Sequence, residues 1–391
     1  MLAAAQHHPG IYRITLPALD DADAETKVEK LGGAAGQIGW SHGLLHAFDS
    51  LYVTVAEGNE SAKRGLHRLR DTNGDDQFDQ SDLLFELKGG GEHGPHNLVV
   101  GPDGKSLHLM GGNGTPLPPD ADLRRPVATE GVDRPMPPGF ESGKHSVQGW
   151  VLRFDPDGGH RELMTSGLRN SYDLAFNHAG DLFAFDSDGE WDLGTPWYRP
   201  TRICHLVSGG EFGWRGGSAM WPEYLEDSIP PVVNIGPASP TGIVFGYGTK
   251  FPAKYQRALY ACDWTFATIH AIHVRPHGAS YRAEVEEFVG GSGLPVTDIV
   301  ASQDGAFYFA VGGRQLGSAI YRVRYVGDEN TAPANAGNEF SPQERSLHSL
   351  RRELESLQAR EDPATAKKVW PHVGHPDRAI RFAARVALEA Q

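Results

Sequence analysis

The chain has 391 residues, of which 39% are hydrophobic and 22% charged, with 48 glycines and 27 prolines. This composition is typical of a globular protein and excludes a collagen, a coiled coil and a chain disordered throughout. The formal net charge of −14 argues against a protein that binds nucleic acid or anionic membranes. No apolar run approaches the roughly 20 residues that a membrane-spanning helix needs.

Two patterns of predicted strands recur along the chain. The first is an apolar strand, a tight turn and an aromatic-rich strand, clearest at 96–109, 172–185 and 297–309 and looser at 43–55 and 241–262. Its turns carry Asp-Gly, Ala-Gly or Asp-Ser, residues that supply the positive φ of tight hairpins. The second is a strand that follows each hairpin, at 65–69, 149–154, 201–206, 268–272 and 319–323, with a sixth copy at 10–14.

Repeating β units of about 50–75 residues indicate a propeller, because each unit can bury its faces only against its neighbours. Six copies of the second pattern against five hairpins predict an all-β, six-bladed propeller with an incomplete first blade, whose inner strands would precede residue 10. Alternatively, residues 10–16 supply the closing strand of the last blade. We assign 1–326 to the propeller, 327–340 to a linker and 341–391 to a helical tail.

The tail begins with a predicted capping box, Ser341 to Glu344, with proline at the first helical position. Leucines at 3- and 4-residue steps then form one apolar stripe. A second helix is predicted from Asp362 through Trp370, and residues 375–377 begin a third. Three helices are too few for a free-standing solenoid, so the tail is interpreted as the start of a HEAT-like helical repeat.

The two cysteines, Cys204 and Cys262, lie outside any CxxC or CxxCH motif, which excludes a cysteine zinc site and covalently attached haem within this chain. They are either a disulfide or, more commonly, lone buried thiols. The first nine residues lack a basic region followed by an apolar stretch and are not a signal peptide.

Residues 71–82 place oxygen-bearing side chains at the spacing of a calcium-binding loop. We predict Asp71, Asn73, Asp75 and Asp79 as ligands of a structural calcium. Asp76 replaces the usual glycine at position 6, and a solvated acidic hairpin is the alternative interpretation.

Residues 89–97, GGGEHGPHN, join three glycines to two histidines at the start of a predicted inner strand. His96 is a candidate general base, because imidazole titrates near neutral pH, and His93 is a weaker one. Arg169 and Asn170 open the next inner strand and could hold an anionic or carbonyl group. For each of these residues a structural hydrogen bond or an ion pair between blades is the alternative.

Four acidic residues lie within 186–192, on a loop after the third hairpin, and suggest a second cation site. A solvated acidic loop is nearly as well supported. The chain contains no GxSxG, HExxH or GxGxxG motif in a suitable context, so the common hydrolase, zinc-protease and nicotinamide interpretations have no support.

From about residue 40 to 325 the chain resembles the glucose/sorbosone dehydrogenase family, six-bladed propellers related to soluble quinoprotein sugar dehydrogenases. It is most similar to the planctomycete-type branch of membrane-bound dehydrogenase and haem-binding-domain proteins. The segments that carry the resemblance are GGGEHGPH, DTNGD, GLRN, DGEWDLGTPWYRPTR, SGGEFGWR, SPTG and FGYGTKFP.

The resemblance implies a mechanism and a cofactor, pyrroloquinoline quinone (PQQ). His96 matches the base that removes the proton of the sugar hydroxyl, and Arg169 and Asn170 match the pair that contacts the quinone oxygens. Calcium would be held largely by backbone carbonyls around Asp186 and Asp188. The cofactor carries the redox chemistry and the protein supplies placement and charge.

Two departures from the family pattern bear on the cofactor. Pro295 and Thr297 stand where the quinoproteins have two arginines for the cofactor carboxylates, and Asn113 replaces an aspartate that orients the base. We predict Asp263 and Arg314 as cofactor-binding residues, with Arg314 as the substitute carboxylate ligand.

The leading hypothesis is therefore a sugar or alcohol dehydrogenase that passes electrons to a cytochrome c-type partner. The alternatives are a calcium-stabilised propeller that binds carbohydrate or protein without turnover and, with less support, a metal-dependent hydrolase or lyase. By analogy the protein is periplasmic or secreted, where calcium is abundant.

Overall fold

The computed structural model describes residues 1–5, 8–17, 25–125, 149–187, 189, 199–215, 219–226, 228–334, 340–358, 362–389 and 391. These residues form the predicted six-bladed β-propeller with a short helical segment at the C-terminal end. The inner strands of blades 2 to 6 contact one another in turn, and this succession places the blades around a common axis.

Each blade is a sheet of strands that run antiparallel to their neighbours in chain order. Blade 1 contains β1 (Leu2–Ala4), β2 (Ile11–Thr15) and β3 (Lys27–Lys30). Blade 2 contains β4 (Trp40–Ala47), β5 (Ser50–Glu57), β6 (Gly65–Arg70) and β7 (Gln80–Glu86). Blade 3 is built on β8 (Pro95–Val100), β9 (Leu107–Gly111), β11 (Trp150–Phe154) and β12 (Glu162–Ser166).

Two short strands, β10 (Asp122–Leu123) and β16 (Gly210–Glu211), add to β12 in parallel. Blade 4 contains β13 (Leu174–Phe176), β14 (Leu182–Asp186), β15 (Thr201–Leu206) and β19 (Val233–Gly236). Between β16 and β19, a two-stranded ribbon pairs β17 (Trp214–Arg215) with β18 (Ala219–Met220).

Blade 5 contains β20 (Pro240–Phe245), β21 (Leu259–Asp263), β22 (Thr268–His277) and β23 (Ser280–Gly290). Blade 6 contains β24 (Val296–Ala301), β25 (Phe307–Val311) and β26 (Ala319–Val323). The helices are α1 (Gly33–Gln37), α2 (Ala253–Gln256), α3 (Pro342–Ser356), α4 (Pro363–Val369) and α5 (Arg378–Glu389), with 3₁₀ turns at Gly91–His93 and Trp370–His372.

The first blade settles the two assignments of residues 10–16. Strand β2 lies between β1 and β3, whereas β26 pairs only with β25 among the described strands. The alternative that residues 10–16 close the last blade is therefore wrong. Within the described residues, blades 1 and 6 share no strand.

The predicted hairpin turns are confirmed by their backbone geometry. Gly104, Gly180 and Gly305 have φ values of 63°, 80° and 90°. Each donates its N–H to the carbonyl three residues earlier, at 2.9 Å in all three turns. Glycine reaches this left-handed region without the steric cost that a Cβ would bring.

The hydrophobic core consists of clusters that lie between neighbouring blades. Between blades 2 and 3, for example, Tyr52, Leu109 and Trp150 pack in one fully buried cluster. The cysteines, in β15 and β21, are free and buried, and burial raises the pKa of Cys204 to about 12. Among the described residues, no helix is both long and apolar enough to cross a membrane.

The helical tail packs against blades 4 and 5. Its predicted capping box is present, with the Ser341 side chain accepting from the Glu344 N–H. Ala279, in the turn between β22 and β23, accepts a hydrogen bond from Arg351 at 2.9 Å and donates one to Asp377 at 2.8 Å. The tail is thus tied to the propeller by buried polar contacts as well as by its apolar stripe.

Candidate functional site

His96, the predicted base, lies at the start of β8 and is fully buried. Its ring stacks on that of His42 at 5.4 Å between centroids and packs against Tyr172 at 4.3 Å. Its Nε2 lies 2.8 Å from Oδ1 of Asn170, while Nδ1 has no hydrogen-bond partner. The site therefore contains a buried imidazole that is hydrogen-bonded through one nitrogen and has no hydrogen-bond partner on the other.

These contacts fix the state of the imidazole. An amide oxygen only accepts, so Nε2 donates the proton and Nδ1 carries the lone pair. Burial lowers the pKa of His96 well below its usual 6.5, and the charges of His42 and His93 lower it further. The hydrogen bond with Asn170 acts in the opposite direction but does not outweigh them. His96 is therefore neutral near pH 7, which is the form that can accept a proton.

Asn170 connects His96 to the segment that covers it. Its Nδ2 donates to the carbonyl of Glu92, in the 3₁₀ turn, at 3.2 Å. A Cβ at Gly112 would lie 2.5 Å from Oδ1 of Asn170, so this position requires glycine. The close packing explains why residues near 89–94 and 112–114 are glycine-rich, and it places a loop over the predicted base.

The side chain of Arg169 has different partners from that of its neighbour Asn170. Its guanidinium donates to Ser187 at 3.1 Å and lies over the Trp214 ring at 5.4 Å, in a buried position. Its backbone carbonyl accepts from the Asn113 N–H at 2.8 Å. The observed contacts thus join His96 to Asn170, and they join the Arg169 guanidinium to Ser187 and Trp214.

Asp186 is enclosed in a hydrogen-bond network of the protein. Its Oδ1 accepts from the Arg169 N–H at 2.9 Å and the Ser171 hydroxyl at 3.1 Å, and its Oδ2 pairs with Arg202 at 3.2 Å. Through these contacts the Asp186 carboxylate has a structural role. The other predicted ligand of this loop, Asp188, and the acidic residues at 190–192 lie outside the described residues, so calcium binding there stays a prediction.

The predicted calcium loop of blade 2 folds around its own side chains. Asp71, Asn73, Asp75 and Asp79 all accept hydrogen bonds from backbone N–H groups of the loop, for example Gly74 to Asp71 at 2.7 Å and Thr72 to Asp79 at 2.7 Å. Among the described residues, no three His, Cys, Asp or Glu side chains are arranged as a metal site. A cation in this loop stays a prediction.

The two predicted cofactor-binding residues of blades 5 and 6 differ in accessibility. Asp263 is buried and its Oδ1 accepts from the N–H groups of Ser239 at 2.9 Å and Thr265 at 3.0 Å, an arrangement that shapes the turn after β21. Arg314 lies over the Trp264 ring and forms two hydrogen bonds with Glu92, at 3.0 and 2.8 Å. The Arg314 side chain is thus exposed to solvent, whereas Asp263 is buried.

The positions without the family's arginines are occupied by sheet contacts. The Pro295 carbonyl accepts from the Gly312 N–H at 3.0 Å, and the Thr297 hydroxyl donates to the Ala310 carbonyl at 3.2 Å. This part of blade 6 holds no cation for a carboxylate group. Arg314, on the next loop of the same blade, is the side chain that could serve instead.

The sequence interpretation missed two acidic site candidates, one directly before the inner strand of blade 4 and one on the inner strand of blade 6. Asp173 is buried and accepts from Asn97 at 2.7 Å and from the Ile243 N–H at 2.9 Å. Asp298, on β24, is accessible to solvent, although the surrounding blades enclose it. Enclosure by protein raises the pKa of both carboxyls, and the charge of Asp173 raises that of Asp298 further.

His42 was also missed, although the sequence carries a signal for it. Ser41-His42-Gly43 occupies the same place in blade 2 as Pro95-His96-Asn97 does in blade 3. An alignment of the repeats to one another would have placed a second histidine beside the predicted base.

Comparisons with known proteins support the fold. No family model matches the chain, and no curated protein matches it by sequence. Among solved structures, it is similar to a glucose dehydrogenase-type oxidoreductase from Thermus thermophilus, with 19% identity and a TM-score of 0.53 over 81% of this chain and 91% of that one.

Two aldose sugar dehydrogenases are similar to the same degree. The PQQ-bound enzyme from Streptomyces coelicolor has 16% identity and a TM-score of 0.53 over 82% of this chain and 89% of that one. The apo-form enzyme from Escherichia coli has 16% identity and a TM-score of 0.53 over 78% and 88%. At these identities the likeness is one of fold, and it confirms the predicted resemblance at that level: the chain is a six-bladed β-propeller of the type found in soluble glucose and aldose sugar dehydrogenases.

Proposed function

We propose that the chain is an oxidoreductase, a quinoprotein-type dehydrogenase of a sugar or a related alcohol. The observation that carries the proposal is the neutral His96 with its unpartnered Nδ1, held at the start of an inner strand in a propeller of the sugar-dehydrogenase type. A histidine in this state can remove the proton of a hydroxyl group.

The described residues fit the chemistry of PQQ, a quinone with several carboxylates. Arg314 offers a guanidinium whose present partner is a carboxylate, which is the group it would hold on the cofactor. Asn170 offers an amide beside His96 for a carbonyl oxygen. Arg169 contributes through its backbone, since its side chain binds Ser187.

The residues of the chain would act as follows. Asn170 orients His96 by accepting the Nε2 proton, so that the Nδ1 lone pair is directed at the substrate hydroxyl. His42 and Tyr172 pack against this ring and against each other, and together they keep its surroundings poor in water. The chemistry that PQQ would supply there, when bound, is that of a hydride acceptor for the substrate carbon. Calcium as its partner ion, a haem protein as electron acceptor and a location outside the cytoplasm, where calcium is abundant, complete the proposal.

The test is a calorimetric titration of PQQ with calcium and again with a chelator, followed by dye reduction with a panel of sugars. His96→Gln is expected to lower kcat by about 10²- to 10⁴-fold, the range for loss of a general base. The matched control is His108→Gln, which changes another buried histidine of blade 3 that lies away from the site.

A calcium-stabilised binding propeller is the second candidate, because His96 is fully buried beneath the Glu92 segment. It predicts that saccharide binding is unchanged in His96→Gln and that no sugar reduces the dye. Sugar-dependent, PQQ-dependent reduction that disappears in His96→Gln would exclude it.

A further inference from the structure

The ion pair between Arg314 and Glu92 joins opposite sides of the propeller. Glu92 precedes the inner strand of blade 3, whereas Arg314 follows the second strand of blade 6. Inner strands begin at the face where second strands end, because the two run antiparallel. Both side chains therefore lie on the same face of the molecule and bridge it above the axis.

The protein holds Arg314 in a costly backbone conformation. Arg314 and Gln315 have φ values of 47° and 64°, in the region that favours glycine. Residues with a Cβ are uncommon in this region, because the Cβ crowds the backbone there. The ring of Trp264 supports the guanidinium at 5.2 Å, and its Nε1 donates to the Gly312 carbonyl at 2.8 Å, which fixes the platform to the same loop.

Stability does not explain the pair. The side chains of Arg314 and Glu92 are 63% and 55% exposed. Ion pairs at such exposure contribute little to folding. A guanidinium displayed on an aromatic platform and bound at both of its forked N–H groups is instead the arrangement that recognises a carboxylate.

The Glu92 contact is also linked to the predicted base. The Glu92 carbonyl accepts from Asn170, and Asn170 accepts from His96. The carboxylate that pairs with Arg314 and the backbone carbonyl that holds Asn170 therefore belong to the same residue.

We propose that Arg314 on Trp264 is a carboxylate-binding subsite, that Glu92 occupies it in the ligand-free protein, and that a ligand carboxylate displaces Glu92. The carboxylate comes either from the quinone cofactor or from an acidic sugar substrate. The first source rests on the proposed function, and the second does not.

The experiment measures dissociation constants by calorimetry on the full chain, with calcium and at low salt, where exposed charges are least screened. The probes are PQQ, glucuronate and, as the ligand without a carboxylate, glucose. The variants are Glu92→Gln, Arg314→Gln, Arg314→Lys and the control Glu86→Gln, which alters an ion pair of similar exposure with Lys63. Thermal unfolding of each variant checks that it is folded.

We expect Glu92→Gln to tighten binding of a carboxylate ligand by about two- to fivefold, the range of an exposed ion pair. Arg314→Gln weakens it, Arg314→Lys weakens it less, and Glu86→Gln and glucose show no change. An effect on PQQ identifies the cofactor as the source. An effect on glucuronate alone identifies an acidic sugar, and the subsite then stands even where PQQ fails to bind and the quinoprotein function is lost.

The proposal is overturned when folded Glu92→Gln and Arg314→Gln variants leave the affinities for both carboxylates unchanged, whether or not PQQ binds. It is equally overturned when glucose responds as the carboxylates do, because the subsite would then not recognise the charge.

Discussion

The contact between the helical tail and blade 4 centres on one buried carboxylate, Asp181. Its Oδ1 lies 2.7 Å from Nη2 of Arg351, itself almost fully buried, and 3.2 Å from Arg352. Burial alone would raise the pKa of Asp181, but the nearby imidazoles of His205 and His348 and the charge of Arg351 lower it. We predict that Arg351→Met, which keeps most of the side-chain volume, destabilises the protein strongly.

The expected loss of unfolding free energy is about 3 kcal/mol. Removing one partner of a buried ion pair costs about 3–5 kcal/mol, because the other charge stays buried without compensation. The lower end applies here since Arg352 remains beside Asp181. Burial, with a smaller contribution from the charge of Arg351, lowers the pKa of His205 to about 4, so removal of that charge is expected to raise this pKa.

Urea unfolding of the full chain, followed by circular dichroism and by tryptophan fluorescence, measures the effect. The control is Arg345→Met, an exposed arginine of the same helix, for which a change below about 0.5 kcal/mol is expected. The double variant with Asp181→Asn should lose about 2 kcal/mol less unfolding free energy than the sum of the losses in the two single variants. A loss below about 1 kcal/mol for Arg351→Met would refute this account of tail docking.

Two further predictions concern the propeller core of blade 3. Burial, helped by the charge of Arg153, lowers the pKa of His108 to about 3, so between pH 6.5 and 3 only the unfolded chain binds its proton and stability falls as the pH falls. Between pH 7.5 and 5, the free energy of unfolding of His108→Gln in urea should therefore fall by about 2 kcal/mol less than that of the unsubstituted protein. An equal fall in the two proteins would contradict the pKa assigned to His108. Trp150→Phe removes the indole hydrogen bond to the Thr115 carbonyl at 2.8 Å and should lower the free energy of unfolding by about 1–3 kcal/mol. An unchanged urea midpoint would disprove this prediction.

The features predicted correctly from the sequence depend on neighbours in the chain. The turns at Gly104 and Gly305 need a positive φ, and the residue type alone signals it. The Ser341–Glu344 capping box spans a single helical turn. The repeat of hairpin and following strand predicted the blades because each sheet is built almost wholly from consecutive strands.

The site was predicted only in part because its contacts join distant blades. His96 meets Asn170 across 74 residues, and Arg314 meets Glu92 across 222. The direction of the Arg169 side chain depends on Ser187 and Trp214, in segments that no local pattern connects to it. The residue types were therefore readable from the sequence, but their pairing was not.

The absence of a shared strand between blades 1 and 6, within the described residues, has a consequence for how the ring opens. Every other neighbouring pair of blades is joined by a short covalent connection, so separating those blades must stretch the chain as well as break their packing. Among the described residues, no such connection joins blade 1 to blade 6. We expect β1–β3 and β24–β26 to exchange their amide hydrogens before the central blades do, because the propeller opens first between blades 1 and 6.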